Sequence, residues 1–141
     1  MGRRDTMNRR ESREKVLGLL FELEYNKGEM AEDVIHYAEQ CRDFERNEYI
    51  SNVFFGAYEK LGELDEIIEK HAVGWKKERM SGVSLAIMRL AVYEILFADD
   101  IPDAVSINEA VELAKTYDDD AAASFINGIL NAVLKEKNAK E

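Results

Sequence analysis

An all-α fold, a helical bundle of about seven helices, is predicted for this chain of 141 residues, and three observations predict it. Apolar residues recur at i, i+3 and i+4 almost throughout, the spacing that lines one face of a helix. No run of strict apolar and polar alternation is long enough to make a strand. Pro102 is the single proline, so the residue that most disrupts helices is nearly absent.

The first helix is expected over about Asn8 to Tyr25, with Val16, Leu17, Leu20 and Leu23 on one face and Asn26-Lys27-Gly28 as its stop. A second, with a weaker stripe, spans about Ala31 to Arg42. The third carries Tyr49, Ile50, Val53, Phe54, Ala57, Tyr58 and Leu61 on one stripe and is expected to end near Gly62. Leu64, Ile67, Ile68 and His71 continue as a short fourth. After a linker containing Gly74, Trp75 and Gly82, the stretch Val83 to Ala98 is apolar on nearly all sides, as the most buried helix of a bundle should be. Ser81 or Ser84 is placed to cap it.

Asp99 to Asp103 reads as a turn, because the residue before a proline disfavours the helical conformation. Ser106 and Glu109 have capping-box spacing at the start of the next helix, whose Ile107, Ala110, Val111, Ala114 and Tyr117 are expected to face the core. Asp118, Asp119 and Asp120 precede the last helix, where negative charge meets the positive end of the helix dipole. Phe125, Ile126, Ile129, Leu130, Val133 and Leu134 form its buried stripe. Gly128 is expected to permit a close helix crossing and Asn127 to bond a neighbouring loop, while the charged tail from Lys135 is expected to fray.

Charge separates sharply along the chain. The net charge is −10, which as an average argues against a polyanionic partner. Residues 1 to 15, however, hold Arg3, Arg4, Arg9, Arg10, Arg13 and Lys15 against Asp5, Glu11 and Glu14, a net of +3 that leaves −13 on the other 126 residues. The lone Cys41 allows no internal disulfide, so a cytoplasmic protein is expected. The richest apolar stretch, Leu85 to Ala98, contains Arg89 and Glu94 and falls short of a membrane span. Met1-Gly2 with Thr6 fits a myristoylation pattern, but so short a pattern carries little weight and one acyl chain anchors only marginally.

Catalytic constellations are missing from the sequence: no Walker lysine motif, no Gly-x-Gly-x-x-Gly and no His-Glu-x-x-His. His36 and His71 are far apart, Cys41 lacks an electropositive neighbourhood beyond Arg42, and the many paired carboxylates read as a solvated face. No enzyme, cofactor or metal is therefore expected. Two anomalies remain. Arg9, Arg10 and Arg13 fall within an arc of about 100° over the face later occupied by Val16, Leu17 and Leu20, and guanidiniums cannot enter a dry core unpaired. They meet the protein's own acids or a phosphate backbone; spacing alone leaves both open. Arg89, inside the most apolar helix, either reaches a carboxylate or lines a functional surface.

The chain resembles the transcription antitermination factor NusB family in four linked blocks. These are Arg9-Arg10-Glu11-Ser12-Arg13-Glu14 with Leu20-Phe21; Ile87 to Leu96 after Trp75; Ile101-Pro102 with Val105 to Lys115; and Ser124 to Leu130. The resemblance implies a single domain over residues 1 to 141, with packed halves at about 8–72 and 83–135 of three to four helices each and flexible ends at 1–7 and 136–141. It implies a non-enzymatic factor that binds the boxA element of nascent RNA, pairs with ribosomal protein NusE, and helps RNA polymerase read through terminators, notably in rRNA operons. Carried over by position, RNA contact falls on Arg9, Arg10 and Arg13, with Arg4, Phe21, Arg79 and Arg89 and the loop at Asp120, Ala121 and Ala122 in support. Glu11 departs from the family in standing where another basic residue is common. The alternative is a helical protein-interaction adaptor, or a homodimer whose basic arm pairs with an acidic face of a second copy.

Overall fold

A computed structural model describes residues 7–26, 28–42, 44–75 and 80–140. Seven helices make up the regular structure of these residues: α1 (Arg9–Tyr25), α2 (Ala31–Arg42), α3 (Glu48–Glu59), α4 (Leu61–His71), α5 (Gly82–Phe97), α6 (Asp103–Tyr117) and α7 (Asp120–Ala139). The all-helical expectation holds, and the element boundaries fall close to those read from periodicity.

The fold is organised around α5. Leu85 through Val92 are buried without interruption, and α1, α3, α4, α6 and α7 all pack against this helix. Burial on every side is what an almost wholly apolar helix requires, since any solvent-facing side would leave apolar area in water. Gly56 permits the close approach of α3 to α5, because a Cβ there would lie 2.1 Å from the Tyr93 hydroxyl. α6 and α7 are separated by two residues and pack along one another, adding Ile107, Ala110, Ile126, Leu130 and Val133 to a single apolar cluster.

Helix ends account for several departures from expectation. α1 starts with a reciprocal capping box: the Asn8 side chain accepts from the Glu11 N–H at 2.8 Å, and Glu11 accepts from the Asn8 N–H at 3.0 Å. Ser81 is the cap of α5, accepting from the Ser84 N–H at 3.0 Å. Ser106 and Glu109, in contrast, do not cap α6. That helix begins directly after Pro102, whose backbone is already extended at φ −60° and ψ 138°, so Ser106 falls inside it and turns its hydroxyl to Glu94. α3 ends at Glu59, and Gly62 lies within α4.

Other expectations also fail. Gly128 faces open space rather than a helix crossing, and Asn127 accepts from the side chain of Asn131 one turn on rather than from a loop. Tyr117 is half exposed at the end of α6, beyond the reach of the core. The segment from Lys135 remains helical to Ala139. It is fastened by Lys137, which donates to the Ile95 carbonyl at 2.7 Å and to Asp103, and by Glu136, which pairs with Lys70 and with His71.

Candidate functional site

The first two turns of α1 carry the arginine cluster, and helical geometry sends its members to three different environments. Arg13, four residues before Leu17, follows the apolar stripe inward and is buried at 4% exposure. Its Nε donates to Glu94 Oε2 at 2.8 Å and its terminal nitrogen to Glu94 Oε1 at 3.1 Å. Glu94 also accepts from the Tyr49 hydroxyl and, at 2.7 Å, from Ser106 Oγ. One buried carboxylate thus joins α1, α3, α5 and α6 with every donor directed at it. This is the condition under which a charge can be held out of water. Burial pulls the Arg13 guanidinium down, but the hydrogen bonds and charge of Glu94 outweigh it and hold the group above its ordinary value. Burial, reinforced by the neighbouring Glu94 charge, pushes the Tyr49 phenol far up.

Arg9 and Arg10 stay at the surface. The Arg9 guanidinium lies 4.4 Å above the centre of the Tyr49 ring, a cation–π arrangement that leaves its hydrogen-bond donors available. Arg10, whose side chain is 62% exposed, donates through Nε and a terminal nitrogen to the two oxygens of Glu109 at 3.0 and 2.6 Å. The hydrogen bond from Arg10 and the attraction of Arg10 and Arg13 hold the Glu109 carboxyl below the usual range. Glu109 therefore serves the arginine cluster rather than a helix cap.

A continuous face leads away from Arg10. Tyr117 donates to Glu14 at 3.0 Å, and these two border a depression of about 260 Å³ with Phe21 and Val83. Phe21 is half-buried, with its ring 4.9 Å from that of Tyr25. Ser81 and Ser84 follow, both donating to Asp118, at 2.9 and 3.0 Å. Next to them Trp75 and Phe125 meet edge to face at 6.0 Å over an apolar hollow of about 310 Å³ that Ala121 and Ala122 help to line. Asp120 is the first residue of α7, and Asp119 caps that helix by accepting from the Ala122 N–H at 2.7 Å. Two of the three acids of this turn are thus engaged, Asp118 by the serine hydroxyls and Asp119 by the helix backbone.

The structure therefore brings Arg10, Phe21, Ala121 and Ala122 onto one face and leaves Arg9 at its edge. Arg13 is beneath it. Arg89 is buried at 3% exposure, bidentate to Asp65 at 2.8 Å for both bonds and donating to Glu24 at 3.0 Å, so it reaches a carboxylate rather than lining a surface. Arg4 and Arg79 lie outside the described residues. Sequence reasoning missed Glu109 as the partner of Arg10, and Trp75, Tyr25 and Tyr117 as exposed aromatics. Two of these aromatics, Tyr25 and Tyr117, stand at helix ends, where a core stripe runs out of partners, and that was the available sign. Among the described residues no cluster of His, Cys, Asp or Glu is arranged to hold a metal, and no helix is long and apolar enough to cross a membrane.

Comparison with known proteins fits this architecture. The family model described as "NusB family" matches residues 10–135. A protein of Ruminiclostridium cellulolyticum named "Transcription antitermination protein NusB" is 47% identical over 131 residues, covering 92% of this chain and 90% of that one. Among solved structures, NusB of T. maritima superposes with a TM-score of 0.84 at 33% identity, covering 92% of each chain. A structure described as antitermination factors NusB and NusE in complex with dsRNA superposes at 0.81 and 26% identity, covering 91% of this chain and 96% of that one. A chain matched along nearly its whole length in sequence and in fold belongs to the NusB family.

Proposed function

We propose that this protein is a non-enzymatic transcription antitermination factor of the cytoplasm. It binds boxA-type single-stranded RNA together with ribosomal protein NusE, and acts on RNA polymerase in that complex. The observation that carries the reading is the division of labour in α1: Arg13 is held inside by Glu94, while Arg9 and Arg10 project from the same turns into solvent. Two exposed guanidiniums on a rigid helix suit a phosphate backbone, which each can bridge through paired donors. Phe21 and the neighbouring aromatic groups offer stacking surfaces for unpaired bases. The relative whose structure contains NusE and RNA supports the same assignment.

Within this reading Arg9 and Arg10 contact RNA, and Phe21 with the Asp120 to Ala122 turn borders them; Arg4 and Arg79 are RNA-contact candidates on the family resemblance alone. Arg13 and Arg89 act as positioning residues, since both guanidiniums are committed to internal carboxylates. The adaptor or homodimer alternative needs an acidic face on a second copy to receive the arm; Arg10 and Arg13 instead find their carboxylates within their own chain.

Titration of labelled boxA RNA, with and without NusE, tests the proposal. Neutralising three to five phosphates of single-stranded RNA predicts a log-log salt slope of about −2 to −3.5, so a fourfold rise in salt weakens binding roughly tenfold or more. Arg9→Ala and Arg10→Gln should each weaken binding without altering the helical circular-dichroism signal. Equal affinity for scrambled RNA, with NusE present or absent, refutes the proposal.

A further inference from the structure

We infer that Glu109 is an internal competitor for the RNA backbone: its carboxylate occupies the guanidinium of Arg10 as a phosphodiester would, and RNA engages Arg10 by displacing it. This inference rests on the proposed RNA-binding role of the α1 face. Its geometric basis is the fork formed by Arg10 Nε and a terminal nitrogen on the two oxygens of Glu109, at 3.0 and 2.6 Å. A phosphodiester presents the same pattern, one negative charge shared between two oxygens, and two anions cannot fill one fork together.

The surroundings make Glu109 suited to this exchange. Arg10 is 62% exposed in its side chain, so its pairing is not imposed by burial, whereas Glu109 is anchored on α6 at 15%. When Arg10 leaves, Glu109 is not stranded, because Nη1 of Arg13 lies 3.9 Å from Oε1, and the bonds from Nε and Nη2 to Glu94 keep that guanidinium in place. Two other acids are near Arg10, but Glu14 accepts from Tyr117 and Glu112 lies 3.7 Å from Lys115. Glu109 alone of the three forms hydrogen bonds with Arg10. A phosphate approaching the opposite edge of the guanidinium would meet the Glu109 charge at close range, which favours displacement over joint binding. The consequence is a threshold: an isolated anion must beat a preformed bidentate pair, while an RNA that engages Arg9 and the aromatic face at the same time can afford to open it.

The experiment measures the affinity of labelled boxA-type RNA, by fluorescence anisotropy at fixed salt, for the full chain and its variants. Glu109→Gln should bind about two- to fivefold more tightly, the equilibrium equivalent of a surface ion pair. Glu109→Asp, one methylene shorter, withdraws the carboxylate from the fork while keeping its charge, and should tighten binding in the same direction. Glu112→Gln removes an equal charge without touching the fork and should give a clearly smaller gain. In an Arg10→Gln background, Glu109→Gln should give no gain at all.

Unchanged or weaker binding by both Glu109 variants overturns the inference alone, because the carboxylate would then orient Arg10 for RNA. An equal gain from Glu112→Gln, or a gain that survives without Arg10, also overturns it, since bulk charge would be the cause. RNA binding by Glu109→Gln in the absence of binding by the unmodified chain supports it in its strongest form. Absence of binding by every folded variant removes the RNA-binding reading and this inference with it.

Discussion

Replacing Arg13 by Met removes the cation from the centre of the molecule while keeping the unbranched stem that lies beside Leu17. The loss is twofold. Two charge-assisted hydrogen bonds to Glu94, at 2.8 and 3.1 Å, disappear, and the carboxylate, itself 1% exposed, keeps only Tyr49 and Ser106 as donors. Removing one member of a buried ion pair costs about 3–5 kcal/mol, chiefly because the other charge stays out of water without its counterion. For a domain whose total stability is of order 5–15 kcal/mol this is a large fraction. At about 2.1 cal/mol/K of unfolding entropy per residue, it corresponds to a fall in Tm of roughly 10–17 °C. Urea denaturation followed by circular dichroism, with a thermal melt beside it, measures the effect. Adding Glu94→Gln should recover much of the loss, since the amide oxygen accepts from one of the Tyr49 and Ser106 hydroxyls while the amide N–H donates to the other with no buried charge, so the double variant is more stable than the two single losses predict. An Arg13→Met variant within about 1 kcal/mol of the parent would refute the reasoning, because the ion pair would then carry almost none of the cost assigned to it.

Three further perturbations follow from the packing. Gly56→Ala should destabilise the fold by about 1–3 kcal/mol, because the new methyl would overlap the Tyr93 ring and hydroxyl between α3 and α5; urea midpoints measure the loss. Asp119→Ala should cost about 1 kcal/mol by uncapping α7, and Asp119→Asn should cost less because the amide oxygen can still accept from the Ala122 N–H. Glu136, held by hydrogen bonds from Lys70 and His71 at about 2, has a folded value below its unfolded one. Its contribution is therefore present above an unfolded pKa of about 4.3 and is lost as pH falls through the folded value. Glu136→Gln should melt below the parent at neutral pH, and the gap should close between roughly pH 5 and pH 2 in paired thermal melts.

Local patterning fixes the helices well in this chain, because each buries a stripe whose period is visible in a short window. α5 is the clearest case, as an apolar segment with two charges has to be central and its charges have to be paired. Pairing itself is less legible. Arg10 and Glu109 are 99 positions apart, and Arg13 and Glu94 are 81 apart; which acids meet which arginines depends on the helix crossings and not on any local spacing. The misread α6 cap has the same origin: Ser106 and Glu109 have the spacing of a reciprocal cap, yet tertiary contacts claim both side chains. Gly128 and Asn127 invited packing roles because glycine is costly in a helix, but a Cβ at Gly128 would meet open space, Asn127 bonds Asn131 of its own helix, and nothing in the structure explains the glycine.

The edge-to-face pair of Trp75 and Phe125 has a practical consequence. Trp75 is the single tryptophan of the chain, so all indole emission comes from one residue half exposed on the candidate face, 6.0 Å from a ring anchored on α7. The molecule therefore carries its own optical reporter. A ligand that covers this hollow will change the colour and intensity of the emission without any attached dye, and binding there can be followed in the unmodified chain.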